Sequence, residues 1–294
     1  MEITRKSLSQ GWLGWRTPRA CVLGLGLIGG SWAGALHDLG WTVLAVDTDK
    51  DTLAAAKAKG WIQEGWTELP ESVDVDLVVV ALPLHVLKNS VEGLIGRINK
   101  GAIVTDVGSL KSLVCSHSKR LLEEGIFFIG GHPMTGSEKS GFSQSEPSLF
   151  KGYPYVLAVE GCPGFVTEEL TKLLGQIGAR VVFRRPEIHD MEVAIVSHVP
   201  HLLSVALALA AQDCSSDEYA PLELAGRSFR DLTRIAASSP ELWQEILLSN
   251  STSILKSLEC CHRRLNELSD FIKAGDGERI SEAFRKAALV REYL

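Results

Sequence analysis

Ala20-Cys21-Val22-Leu23-Gly24-Leu25-Gly26-Leu27-Ile28-Gly29-Gly30-Ser31 joins an apolar strand, a tight turn and the start of a helix. The spacing Gly24-x-Gly26-x-x-Gly29 suits the tight turn, the close approach of a pyrophosphate, and helix–strand packing, one glycine for each. A helix amino terminus placed there offers phosphates free N–H groups and a positive dipole end. Outward from this turn, a helix over Ile28 to Leu39 leads through Gly40 to a second apolar strand, Thr42-Val43-Leu44-Ala45-Val46-Asp47. A lone glycine triplet is weak evidence. The same triplet inside strand–turn–helix–strand, with an acid closing the second strand about 20 residues on, is stronger. Asp47 is placed to hold the hydroxyls of an adenosine ribose. Its carboxylate repels a 2′-phosphate, and Thr48 and Asp49 supply no arginine to bind one; Lys50 is the sole nearby cation. The expected cofactor is therefore NAD, held by Gly24, Gly26, Leu27, Ile28, Gly29 and Asp47, with Leu82 and Pro83 beside them.

Leu82 and Pro83 end the run Asp76-Leu77-Val78-Val79-Val80-Ala81-Leu82-Pro83, which is apolar on both faces as a buried parallel strand must be. Ala102 to Val107, Gly125 to Ile129, Tyr153 to Val159 and Ala179 to Phe183 read as further strands, with helices over Asp51 to Lys59 and Pro163 to Ile177. Beyond residue 185 no strand-like run appears. Pro186 to Gln212, interrupted at Pro200, is apolar at helical period, as are Glu223 to Ala237, Pro240 to Ile272 and Glu278 to Glu292. The fold class is α/β: an N-terminal extension over 1–19, a Rossmann-type dinucleotide-binding domain over 20–185, and an all-helical substrate and dimerisation domain over 186–294. So much apolar helix is hard to bury alone, which predicts a homodimer formed through the helical domain.

Composition narrows the function. A chain of 294 residues with 45% hydrophobic and 22% charged residues is an ordinary globular protein, and a net charge of -6 argues against nucleic-acid binding and against an anionic membrane surface. No unbroken apolar stretch reaches the roughly 20 residues of a membrane span. Met1 to Arg19 has no apolar core of a signal peptide. Cys21, Cys115, Cys162, Cys214, Cys260 and Cys261 form no Cys-x-x-Cys pair and no zinc-like cluster, as expected of thiols in a reducing cytoplasm.

Candidate chemistry lies in four places. Gly130-Gly131-His132-Pro133-Met134-Thr135-Gly136-Ser137-Glu138 follows a buried strand, where open α/β sheets carry their catalytic loops. His132 accepts a proton near neutral pH. By itself the stretch reads equally as a turn with an incidental histidine. Ser109, past the end of Ala102 to Val107, can reach a nicotinamide or a substrate, or simply cap a helix. In Ser197-His198-Val199-Pro200-His201 the two histidines share a helix face. A metal site with Asp190 lacks a further ligand, so a packed pair or a polar pocket wall remains, and no metal is expected. Arg230 and Arg234, four apart in Arg227-Ser228-Phe229-Arg230-Asp231-Leu232-Thr233-Arg234, suit a dicarboxylate or form a solvated face neutralised by Asp231 and Glu223.

Taken together, the glycine turn, Val104-Thr105-Asp106-Val107-Gly108-Ser109-Leu110-Lys111, the His132 stretch, Ser197–His201 and Ser228–Arg234 resemble the prephenate/arogenate dehydrogenases of tyrosine biosynthesis. The resemblance runs from about residue 20 to 235. It implies NAD-dependent oxidative decarboxylation of a cyclohexadienol, prephenate or arogenate. It also implies His132 as the base on the ring hydroxyl and Ser109 as its hydrogen-bonding neighbour. Arg234 matches the substrate-carboxylate arginine, with Arg230 as a supporting cation, and His201 and Ser197 line the side-chain end of the pocket. Glu138 and Asp190 match acids at the pocket mouth. Thr135 stands where alanine is common. The length after the helical segment leaves no room for a regulatory domain, so tyrosine feedback is expected to compete at the active site. Two rivals share parts of this layout. An imine-reductase-like dehydrogenase would rely on an acid or lysine in the helical domain, and an NAD-binding redox sensor would need no His132–Arg234 constellation.

Overall fold

The computed structural model describes residues 16–116, 118–136, 139–159, 161–216 and 218–293. Most of the expected N-terminal extension lies outside the described residues. The chain begins with β1 (Arg19–Leu23), α1 (Leu27–Asp38), β2 (Thr42–Val46), α2 (Lys50–Ala58), β3 (Glu64–Trp66), β4 (Leu77–Val80) and α3 (Leu84–Glu92). It continues with β5 (Ile103–Asp106), α4 (Ser112–Cys115), α5 (Ser118–Glu123), β6 (Phe127–Pro133), β7 (Pro154–Ala158), α6 (Gly164–Gln176) and β8 (Arg180–Arg184). The rest is helical: α7 (Pro186–Val193), α8 (Val199–Asp213), α9 (Arg227–Thr233), α10 (Pro240–Ser249), α11 (Ser251–Lys273) and α12 (Gly277–Glu292).

The strands form one eight-stranded sheet in the order β3-β2-β1-β4-β5-β6-β7-β8. Every neighbouring pair is parallel except β6–β7. Both faces are covered, which is why β4 and β5 are buried at every position. Trp32, Leu36, Phe150, Tyr155, Leu170 and Leu174 pack one face. Leu84, Leu87, Leu94, Val114, Leu121 and Phe128 pack the other. β3 was not expected from the sequence. Its three residues, Glu64-Gly65-Trp66, are too few and too polar to show a period.

β6 differs from its sequence reading in a way that matters. Gly125 to Ile129 was expected to be the strand and His132 to sit in the loop after it. The strand instead runs to Pro133: Phe127, Phe128 and Ile129 pair with β5 in parallel, and Gly130 to Pro133 pair with β7 antiparallel, His132 opposite Val156. His132 thus projects from a strand bonded on into the antiparallel edge.

At the other hinge of the fold, the ladder continues past β1. Gly24 N–H donates to Val46 O at 2.7 Å and Ala81 N–H to Leu23 O at 2.7 Å, pinning the glycine turn to the carboxyl edge. Gly24 has φ of 85°, and a Cβ there would stand 2.4 Å from Ala81 O. A Cβ on Gly29 would stand 1.9 Å from Gly24 O and 2.9 Å from the Ala81 Cβ, whereas one on Gly26 meets nothing within 4 Å.

In the helical part, Pro186 to Gln212 is not broken at Pro200. α7 passes through a π-turn, Ala194–His198, into α8, with Pro200 in the first turn of α8. By length and composition the 28-residue helix Pro186–Asp213 qualifies as a membrane-crossing helix, an 18-residue window within it having a mean hydropathy of 1.9. His189, Asp190, His198 and His201 lie along it and make polar or ring contacts with other elements, which marks it as a packing helix. Pro240 to Ile272 divides at Asn250 into α10 and α11, and the arginine segment is a short helix followed by a 3-10 turn, Arg234–Ala237.

The glycine geometry gives a contrast that thermal melts check. Gly29→Ala should cost about 1–3 kcal/mol or more, since backbone must shift. Gly26→Ala should leave stability within about 0.5 kcal/mol, its Cβ standing in open space.

Candidate active site

A cleft of ≈ 1210 Å³ opens along the carboxyl edge of the sheet, between the glycine turn on one side and α10 on the other. Gly24, Gly26, Leu27, Ile28, Gly29, Asp47, Leu82, Pro83, Ser109 and His132 all line it. The first turn of α1 has no side-chain cap, so its amides face the cleft unclaimed by a side chain. Asp47 is oriented by two backbone donors. Its Oδ2 accepts from Leu25 N–H at 2.6 Å and its Oδ1 from Asp49 N–H at 2.9 Å. Each oxygen keeps a lone pair for a further donor. Across the cleft mouth, His85 Nδ1 stands 3.2 Å from Glu245 Oε1 of α10 and bridges the two halves of the chain.

His132 is held by a buried framework. Lys111 and Asp106, both fully buried, form an ion pair behind it. Lys111 Nζ also donates to Gly131 O at 2.6 Å, and Asp106 accepts from Gly131 N–H at 3.0 Å and Gly108 N–H at 2.8 Å. The residue before His132 is therefore bonded through both its N–H and its C=O. Gly130 and Gly131 are dictated by space. A Cβ on the first would stand 2.7 Å from Cys115 Sγ, and on the second 2.5 Å from Asp106 O.

His132 Nδ1 lies 2.9 Å from His189 Nε2, and His189 Nδ1 lies 2.8 Å from Asp190 Oδ1. Asp190 also accepts from the backbone N–H groups of Lys111 (2.8 Å) and Ser112 (3.0 Å), at the start of α4. The resemblance implied Asp190 at the pocket mouth. It is instead buried, and serves as a cap for α4 donated by α7. Burial drives the His132 pKa well below 6.5, with the neighbouring His189, Lys111 and His198 pushing the same way. Burial raises the Asp190 carboxyl, but hydrogen bonds from His189, Lys111 and Ser112 outweigh it and leave the pKa lowered. His189 and Lys111 were missed as functional residues in the sequence. His189 stood next to Asp190, and no spacing ties it to His132, 57 residues away.

The helical candidates sit apart from this cleft lining. His201 stacks on Trp243 of α10 with centroids 3.6 Å apart, and its Nδ1 donates to Ser197 O at 2.9 Å. His198 meets the same Trp243 edge-on and lies 3.3 Å from Asn250 Nδ2, which donates to Asp190 O at 2.7 Å. Burial lowers the His198 pKa to about 4. In α9 the Arg230 Nε donates to Ala225 O at 3.1 Å, and Arg234 opens the following 3-10 turn beside His201. Arg230 thus lies in the last turn of α9 and Arg234 is its C-cap. Glu138 lies outside the described residues. Among the described residues no group of three acidic, histidine or cysteine side chains is placed to hold a metal, and no disulfide joins the six cysteines.

An uncapped glycine turn, an acid just past a strand end and an imidazole opening into one cleft fit a dinucleotide-dependent oxidoreductase with a helical second domain. Two protein-family models match the chain: the prephenate dehydrogenase nucleotide-binding domain over residues 32–183 and the prephenate dehydrogenase dimerization domain over 185–286. The prephenate dehydrogenase of Bacillus subtilis (strain 168) is 34% identical over 284 residues, covering 93% of this chain and 75% of its own length. The crystal structure of Aquifex aeolicus prephenate dehydrogenase in complex with hydroxyphenyl propionate and NAD+ superposes with a TM-score of 0.88 at 28% identity, over 95% of this chain and 99% of that one. Synechocystis arogenate dehydrogenase superposes with a TM-score of 0.80 at 29% identity, over 94% and 100%. The chain belongs to the prephenate dehydrogenase family.

The buried imidazoles make the fold acid-labile. A histidine whose folded pKa is depressed binds its proton more readily when unfolded, so stability is full above pH 6.5 and is lost as pH falls toward the folded value. With His198 at about 4, that residue alone removes about 2 kcal/mol between pH 7 and pH 5. Denaturant titrations at both pH values should show this loss, and His198→Gln should reduce the difference by a similar amount.

Proposed function

We propose that this chain is an NAD-dependent prephenate dehydrogenase that converts prephenate to 4-hydroxyphenylpyruvate and carbon dioxide in tyrosine biosynthesis. The observation that carries the reading is His132 opening into the same cleft as the Gly24–Gly29 turn and Asp47, the imidazole kept neutral by burial. The boundaries proposed are residues 20–185 for the nucleotide-binding domain and 186–294 for the helical one.

The residues fit the cofactor. The open space at Gly26 admits a pyrophosphate where a Cβ would intrude, the α1 amides receive its charge, and Asp47 takes the ribose hydroxyls. Bound NAD supplies the acceptor for the hydride that leaves the ring carbon bearing the hydroxyl. His132 Nε2 takes the hydroxyl proton as that hydride departs. When the ring carboxylate leaves as carbon dioxide, its bonding electrons aromatise the ring, and the proton returns from His132 to the oxygen that becomes the phenol. Protons and charges then balance, and one imidazole suffices as base and acid. Positioned proton transfer of this kind is worth ~10²–10⁴-fold in rate. Ser109 is the hydrogen-bond partner of the same hydroxyl or of the nicotinamide. Arg234, with Arg230 in support, is assigned to the substrate carboxylates, and His201 and Ser197 to the side-chain end of the pocket.

A cytoplasmic homodimer formed through the helical domain completes the reading. Apolar side chains exposed on α8, α11 and α12, Leu209, Leu255, Ile272 and Phe284 among them, support it. In sedimentation equilibrium the mass should be twice the 32.0 kDa of one chain.

Arogenate is the second reading, supported by a likeness to the Synechocystis arogenate dehydrogenase similar in identity to that of the Aquifex enzyme. Initial rates of NADH formation with each substrate decide between them. His132→Asn should lower kcat by ~10²–10⁴ while NAD affinity holds, Arg234→Gln should chiefly raise KM, and Gly26→Ala should weaken NAD binding in a protein of normal stability. In the wild type, kcat/KM should hold its plateau down to pH 6.5, because the acid limb reports a His132 pKa lying below that value.

A further inference from the structure

We infer that His189 is a positioning residue for His132: with Asp190 it fixes which ring nitrogen of His132 is free to take a proton. The inference rests on the reading of His132 as the base and goes beyond it, because a base needs its lone pair on the nitrogen that faces the substrate.

The direction of the chain follows from its far end. The Asp190 carboxylate can only accept, and it already accepts from the backbone of Lys111 and Ser112. The 2.8 Å contact with His189 Nδ1 therefore requires the proton on that nitrogen. A neutral His189 then has a bare Nε2, which can only accept. The 2.9 Å contact between His189 Nε2 and His132 Nδ1 places a proton on His132 Nδ1. Nε2 of His132 is left with the lone pair. With both imidazoles neutral, no link can be reversed without setting two acceptors or two donors against each other. The ring planes of His132 and His189 lie at 75°, an edge-on arrangement that lets the in-plane lone pair of one meet the N–H of the other.

The chain is also held rigidly at its source. Asp190 sits on α7 of the helical part and caps α4 of the sheet part, and its own carbonyl accepts from Asn250 Nδ2. His189 is 1% exposed, so no water competes for its nitrogens. A wrong tautomer is costly in enzymes of comparable design; in the Ser-His-Asp triad it lowers kcat about 10⁴-fold.

Ring-nitrogen spectra read the tautomer directly, and kinetics read the rate beside it. In full-length protein labelled with ¹⁵N in the histidine rings, His132 is assigned through His132→Asn. The expected result is a protonated Nδ1 and a bare Nε2 on His132 near neutral pH. A protonated Nε2 with a bare Nδ1 in the wild type overturns the inference without recourse to any variant. His189→Phe keeps the ring shape and removes the acceptor. It should give mixed His132 tautomers and lower kcat by about 10²-fold, while substrate KM and NAD Kd stay within about threefold. His189→Gln offers an amide oxygen to His132 Nδ1 and should restore part of the rate. If His189→Phe keeps kcat within twofold, or loses it with the His132 tautomer unchanged, the positioning role is wrong. Failure of the underlying reading is distinct: His132→Asn would itself turn over at a near-normal rate.

Discussion

Lys111 is bonded at both ends, and the cleft depends on it. Its ammonium, fully buried, meets Asp106 and the carbonyl of Gly131, while its backbone N–H meets Asp190. A buried ion pair is weak evidence of net stability, because desolvation offsets much of the attraction. Here the remaining valences are used. Asp106 takes two further backbone donors, and the pair stitches the end of β5, the Gly108 turn and the β6 residue before His132 into one unit. Losing one partner would leave an uncompensated buried charge, a loss of about 3–5 kcal/mol. That penalty confines the pair to one geometry, and His132 inherits the geometry through Gly131.

The same reasoning explains which parts of the molecule were legible in the sequence. The glycine turn, Asp47 and the core strands could be read because each obeys a local rule: fixed spacing, strand end, unbroken apolar run. β3 could not, since it is a strand only by pairing with β2. The extension of β6 through His132 was hidden because its last residues pair with β7, which begins only at Pro154, and nothing in Gly130-Gly131-His132-Pro133 favours a strand. His189, Lys111 and Asn250 escaped for a related reason. Each is a polar residue in an apolar setting whose partner is distant in sequence, and burial, which makes the partnership obligatory, is a property of the folded chain.

Pro200 shows a local rule giving the wrong answer for a definite reason. Proline lacks an N–H and its ring crowds the carbonyl four residues back, so an interior proline should break a helix. The π-turn over Ala194–His198 absorbs the misfit by widening the turn just before it, and the axis carries on. The wider turn also changes the phase of the side chains. His198 turns inward toward Asn250, while His201 lies flat on Trp243.

These contacts make the docking of the two halves and the orientation of His132 a single event. α7 enters the sheet domain with two adjacent side chains. Asp190 satisfies the amides that open α4, and His189 reaches past it to His132. If the halves separated, α4 would lose its cap, Asp190 would lose two donors, and His132 would lose the acceptor that orders its ring. Lys111, His189 and Asp190 are buried, so water could not substitute at them until the interface opened. Such a design holds the cleft firmly on the side of His132. The opposite wall, where the exposed His85 meets Glu245 across the mouth, is joined by a contact that solvent and salt can screen. Firm support around His132 and a looser mouth suit the proposed site, which would hold one imidazole within hydrogen-bonding geometry yet admit and release a large cofactor on every turnover.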